Sequence, residues 1–153
     1  PGPAGPFRLV ARADRIDELQ DGGIAVIDFK TGAPPSKREV AAGFAPQLPL
    51  EAAMVAQGGF DGVPPLEVHE LAFWRLSGGR EPGAIKDAAD DPLTVAAEAY
   101  AGLVALIGKF DDVATPYEAR PRPDKAPQYS DYEHLARVKE WSTAGESDGG
   151  SET

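Results

Sequence analysis

The chain is predicted to be an α/β domain. Three features point there: an alternating stretch and a β-branched stretch separated by a glycine turn, helix-start signals after them, and a later apolar stripe at helical spacing. From Phe7 to Leu19, the residues Phe7, Leu9, Ala11 and Ala13 alternate with Arg8, Val10, Arg12 and Asp14, a period of two that predicts a strand with Asp14 near its end. Asp21-Gly22-Gly23 is a turn signal. Ile24 to Lys30 follows as a second, β-branched strand, and the short gap predicts an antiparallel hairpin.

Thr31 to Ser36 closes that strand, and Ser36 with Glu39 three residues on forms a capping-box pattern, so a helix is expected from about Lys37. Gly43 and Pro46 should interrupt it. A second helical stretch begins at Gln47, with Pro49 in the tolerated first turn, and Gly58-Gly59 should stop it. Val68 to Leu76 predicts a third strand. Asp91-Pro92 should open a helix through about Lys109, with Leu93, Ala96, Ala97, Tyr100, Leu103, Val104 and Ile107 on one stripe expected to be core. The polar stretch 111–128 is expected to be a connector, Ser130 to Trp141 a last short helix, and 142–153 a disordered acidic tail behind a domain spanning 1–141.

With 153 residues, one domain is the expected count. Fifteen Lys and Arg against 25 Asp and Glu give a net charge of -10, which excludes a broadly basic DNA-coating protein and requires any nucleic acid to be held locally against the overall field. The absence of cysteine excludes a disulfide framework, Cys-ligated zinc and an iron–sulfur cluster within this segment, and fits a cytoplasmic setting. The apolar stretch near Ala96 to Ile107 is broken by Glu98, Tyr100 and Gly102, so no membrane span is expected. Pro1 to Pro6 lacks an initiator Met and has no signal-peptide features, so the chain is expected to be a fragment of a longer protein.

The chemistry-bearing residues lie on the predicted hairpin. Asp28 and Lys30, two residues apart, share one face of a strand whose other residues argue for burial. A buried carboxylate is costly without a cation or a basic partner. Two carboxylates, Asp14 and Asp28, supplying hard oxygens to Mg²⁺, with a backbone carbonyl from Phe29 and a lysine beside them, form a kit for metal-assisted phosphodiester hydrolysis. Lys30 offers a compact positive charge for a hydroxide nucleophile or a developing phosphorane.

Taken alone, Asp-x-Lys on a strand is a weak motif, since such a pair more often makes only a cross-strand salt bridge. The wider strings Arg12-Ala13-Asp14-Arg15-Ile16-Asp17, Val26-Ile27-Asp28-Phe29-Lys30-Thr31-Gly32 and Gln47-Leu48-Pro49-Leu50 resemble the RecB-like branch of the PD-(D/E)xK nuclease superfamily, and within it the AddB-type domains of bacterial helicase-nucleases. The ending from Tyr129 to Arg137, with Trp141, is similar to the end of such domains. The resemblance implies a restriction-endonuclease-like core, a small mixed central sheet flanked by helices. It also implies a Mg²⁺-dependent DNA exonuclease, with Mn²⁺ able to substitute, acting on DNA single strands beside an AddA-like helicase subunit in double-strand break repair and recombination.

By the same resemblance Asp14 and Asp28 match the metal-binding acids, Lys30 the catalytic lysine, and Gln47 the Gln of a Gln-x-x-x-Tyr helix motif tied to DNA contact or site organisation. The chain departs from the pattern twice: Glu51 stands at the Tyr position and Ala11 at a usual Gly. The family's upstream ligand-bearing helix would precede this segment. The alternative is a non-catalytic module that binds DNA ends or a partner subunit. Among the remaining residues, Arg15 and Asp17 are expected to pair structurally, His69 and His134 to be structural or exposed, and Trp74 and Trp141 to be core. Arg120, Arg122 and Lys125 form a compact basic cluster that suits either a phosphate contact or a solvated loop.

Overall fold

The computed structural model describes residues 5–78 and 83–117. Its contacts divide the chain into two units, 1–112 and 113–153, and the fold below is that of the first. The expected helix at 130–141, the acidic tail, His134, Trp141 and the basic cluster Arg120, Arg122 and Lys125 all lie outside the described residues.

Four strands form one sheet in the order β1 (Arg15–Glu18), β2 (Ile24–Lys30), β3 (Val68–Arg75), β4 (Ala84–Asp87). The hairpin is antiparallel as expected, with Arg15 opposite Ile27 and Glu18 opposite Ile24. Its turn is closed by the Leu19 N–H donating to the Gly23 carbonyl at 2.8 Å, and Gly22 sits at φ +86°, a conformation that favours glycine. A side chain on Gly23 would collide with the His69 ring. β2 and β3 run parallel, so the chain must cross over between them, and α1 (Lys37–Ala41) and α2 (Gln47–Ala56) occupy that crossover. β4 pairs antiparallel with β3 and makes the sheet mixed. It is absent from the sequence prediction, being four residues long with an exposed pattern that gives no alternation.

The helix boundaries follow their local chemistry. Ser36 caps α1 in a complete capping box, its hydroxyl accepting from the Glu39 N–H while the Glu39 carboxylate accepts from the Ser36 N–H. Asp91 caps α3 (Pro92–Phe110), accepting from the Thr94 N–H at 3.0 Å, with Pro92 in the first turn.

The side chains of β2 alternate between two buried layers. Ile24 and Val26 join Leu71 and Phe73 of β3 against Val40, Leu48, Ala52 and Val55 of the helices, while Ala25 and Ile27 pack with Ala72, Leu19 and Trp74 on the opposite face. Asp28 and Lys30 continue the helix-facing row beyond Val26 and stand opposite Phe73 and Arg75.

Two expectations are corrected. The first strand is Arg15–Glu18 and not Phe7–Leu19, so Asp14 immediately precedes the strand where it was expected near its end. The ladder stops there because the carboxylate of Asp14 accepts the next available β2 amide, Phe29 N–H, at 2.9 Å. The α3 stripe is not all core. Val95 and Ala96 are buried, whereas Leu93, Tyr100 and Val104 are exposed. By length and composition α3 also matches a membrane-crossing helix despite Glu98 and Gly102, although it packs on α2 and β3 and buries Val95 and Ala96 in the core.

Candidate active site

Asp28 occupies the last buried position of β2. Strand alternation turns it toward the helices, and the hydrophobic layer beneath leaves it only 2% exposed. Burial without compensation would cost a carboxylate several kcal/mol, on the order of the penalty for one unpaired buried ion. Lys30, on the same face, brings its Nζ to 2.7 Å from Asp28 Oδ2. The pair is electrostatic and not an aligned hydrogen bond, for Asp28 Oδ2 has no hydrogen-bond partner. Lys30 keeps about a third of its side chain in solvent, and its Nζ lies 5.9 Å from the centre of the Phe73 ring. The sequence placed Asp28 and Lys30 together, and the structure does the same.

Asp14 reaches this end of β2 from the strand's other side. Its bond to the Phe29 N–H fixes the carboxylate at the edge that β1 has left open. A strand residue directs its N–H and C=O to the same side, while the neighbouring Lys30 carbonyl is taken by the N–H of Leu76, just past the end of β3, at 2.8 Å. The Phe29 carbonyl therefore faces Asp14's edge and not β3.

α2 supplies the remaining polar groups. Gln47 is exposed in the first turn, and its Nε2 donates to Glu51 Oε1 at 3.3 Å. Glu51, one turn further on, is only 3% exposed, and its Oε2 has no hydrogen-bond partner. Burial pushes its carboxyl above the usual range, the charges of Asp28 and Asp14 push the same way, and the Gln47 bond and Lys30 oppose them. This carboxylate was noted in the sequence only as a departure from Tyr. The available signal was an acid among Leu48, Pro49, Ala52 and Ala53 on a buried helix face. Beside it Leu9 to Arg12 runs along Gln47, Leu50, Glu51 and Met54, leaving an open cleft of about 280 Å³.

The other charged residues near the hairpin are satisfied elsewhere. Arg15 pairs with Asp17 at 2.8 Å, as expected, and its guanidinium lies 4.9 Å from the centre of the Trp74 ring on the far face. Trp74 is half-buried there and not fully core. His69 Nδ1 meets Asp21 Oδ2 at 3.0 Å, a surface contact that leaves it outside the site.

Among the described residues, no three His, Asp or Glu side chains are gathered as a preformed metal cage. The donors at the end of β2 nonetheless suit a small hard cation. They are carboxylate and carbonyl oxygens, and Asp28 Oδ2 and Glu51 Oε2 are buried acceptors lacking hydrogen-bond donors. Mg²⁺ commonly takes one or two carboxylates and keeps several waters, so it does not need a full protein cage.

The model of the PD-(D/E)XK nuclease superfamily matches residues 2–137, most of the chain. This chain belongs to that superfamily. Membership agrees with the small mixed sheet and its helices, and nucleases of this superfamily generally use a divalent metal to hydrolyse phosphodiester bonds. Two curated relatives are uncharacterized proteins of Rickettsia: one from Rickettsia bellii, 37% identical over 55 residues, and one from Rickettsia conorii, 38% identical over 54. Those stretches cover 36% and 35% of this chain but only 7% and 6% of the relatives, so the chain corresponds to a small part of much longer proteins. No solved structure matches the superfamily member described here.

Proposed function

We propose that the chain is the catalytic nuclease domain, over residues 1–141, of a cytoplasmic AddB-type helicase-nuclease, degrading DNA single strands delivered by an AddA-like partner during double-strand break repair. The observation that carries this reading is the meeting of Asp14, Asp28 and Lys30 at the end of β2, with Asp28 buried and Lys30 Nζ 2.7 Å from it. Asp14, Asp28 and the Phe29 carbonyl would hold Mg²⁺, or Mn²⁺ in its place. When bound, the metal supplies Lewis-acid polarisation and a more acidic water. No iron–sulfur cluster is proposed for this cysteine-free segment.

Within the chain, Asp28 holds Lys30 by charge, which keeps its ammonium beside the metal-binding edge instead of in bulk solvent. From there Nζ donates to the attacking water and stabilises negative charge on the phosphorane. Gln47, exposed at the start of α2, arranges the site or contacts the strand. Arg120, Arg122 and Lys125, outside the described residues, are proposed phosphate contacts.

The test is degradation of labelled single-stranded DNA in Mg²⁺ or Mn²⁺ by the full-length protein with its helicase partner, comparing wild type with Lys30→Ala. Loss of about 10²-fold or more, with circular dichroism and DNA binding unchanged, supports the assignment. Equal cleavage by both, or none by either while the complex unwinds DNA, overturns it in favour of a module that binds DNA ends or the partner subunit without catalysis.

A further inference from the structure

Glu51 is expensive where it stands. It is 3% exposed on a helix face otherwise made of Leu48, Ala52 and Val55, and one of its oxygens has no hydrogen-bond donor. Gln47 satisfies only Oε1. A structural glutamate at such a position would be expected to own a counter-ion. Among the described residues, the ammonium acting on it is that of Lys30, which is already ion-paired to Asp28. The same electrostatic neighbourhood contains Asp14 and Asp28, both of which repel it. The carboxylates of Asp14, Asp28 and Glu51 outnumber that ammonium, an imbalance a divalent cation would offset.

We propose that Glu51 is a third carboxylate of the divalent-cation site, its Oε2 turned to the cation or to a water the cation holds. The inference deepens the metal-dependent nuclease reading and rests on it. It goes beyond the family resemblance, which puts a neutral Tyr at this position and assigns the ring no metal. A cation would supply the partner that Glu51 Oε2 lacks and would share Asp28, whose Oδ2 is held by the Lys30 ammonium alone. Gln47 then acts as a positioning residue: its bond to Oε1 restricts the carboxylate's rotation and leaves Oε2 directed inward. Among the described residues the three carboxylates do not form a preformed cage, so the cation or the waters it keeps would have to bridge them.

The experiment is Mn²⁺ binding to the full chain without DNA, by isothermal titration and by the metal-induced rise in Tm, for wild type, Asp28→Asn, Glu51→Gln and Glu51→Tyr. Removing Glu51's charge should weaken Mn²⁺ about 10-fold or more and shrink the Tm rise, in both Glu51 variants, while far-UV circular dichroism stays unchanged. Glu51→Tyr, which installs the family's residue, provides the answer if Glu51→Gln fails to fold. Wild-type affinity in the Glu51 variants, together with its loss in Asp28→Asn, overturns the role of Glu51 and leaves the metal site standing. Absence of Mn²⁺ binding in wild type, or no change in Asp28→Asn, overturns both.

Discussion

Asp28 and Lys30 form an asymmetric pair, and the asymmetry determines what each substitution should cost. Asp28 is 2% exposed, whereas Lys30 can shed its charge into solvent. Lys30→Ala therefore strands a buried carboxylate and should destabilise the metal-free fold by about 3 kcal/mol, while Asp28→Asn leaves a lysine that water can solvate and should cost less. Urea denaturation of the two variants in EDTA checks the order, and a larger loss in Asp28→Asn would contradict it. His69 gives a second residue-scale test, at the hairpin turn. Its bond to Asp21 raises its pKa above the ordinary 6.5, so the stability it contributes is fully present below that value and is lost as pH rises through the folded pKa. Tm should fall as pH rises above about 6.5, and His69→Gln should flatten that step. The contact is exposed, so the step will be small.

At the scale of elements, the parts fixed by neighbours in sequence were legible and the parts fixed by distant partners were not. The hairpin turn, the Ser36 capping box, the start of α2 after Pro46 and the Asp91 cap all depend on residues within a few positions, and the chain folds as those signals direct. Ser36→Ala removes both hydrogen bonds of the Ser36 hydroxyl to Glu39, leaving the one from its backbone N–H, and should cost about 1 kcal/mol, measurable as a shift in the urea midpoint at constant m-value. The alternation from Phe7 to Ala13, by contrast, describes an extended chain without saying what it pairs with. In the structure that stretch lines a cleft along α2, because the next free β2 amide goes to the Asp14 carboxylate. β4 exists only because β3 offers it an edge. Within the site, the shared face of Asp28 and Lys30 follows from a two-residue spacing. The meeting of Asp14 with Phe29 and of Glu51 with both acids depends on how the hairpin and α2 pack, which no local pattern encodes.

Across the whole molecule, a net charge of -10 opposes the approach of a polyanion, and the carboxylates at the end of β2 place part of that charge where the proposed reaction would bring a phosphate. A divalent cation inverts the local field at that point, because it brings two positive charges to a site whose own balance is negative. DNA binding should therefore depend on the metal even when cleavage is impossible. In the Lys30→Ala chain, affinity for a labelled single strand should rise about 10-fold or more when EDTA is replaced by Mg²⁺ at fixed ionic strength, a difference near 1.4 kcal/mol. The comparison must hold ionic strength constant, since general screening also weakens the repulsion between like-charged molecules. Fluorescence anisotropy gives the two affinities directly. Equal affinities would mean that DNA is held away from the carboxylates, by groups outside this sheet, and that the cation at β2 serves the reaction without helping to recruit its substrate.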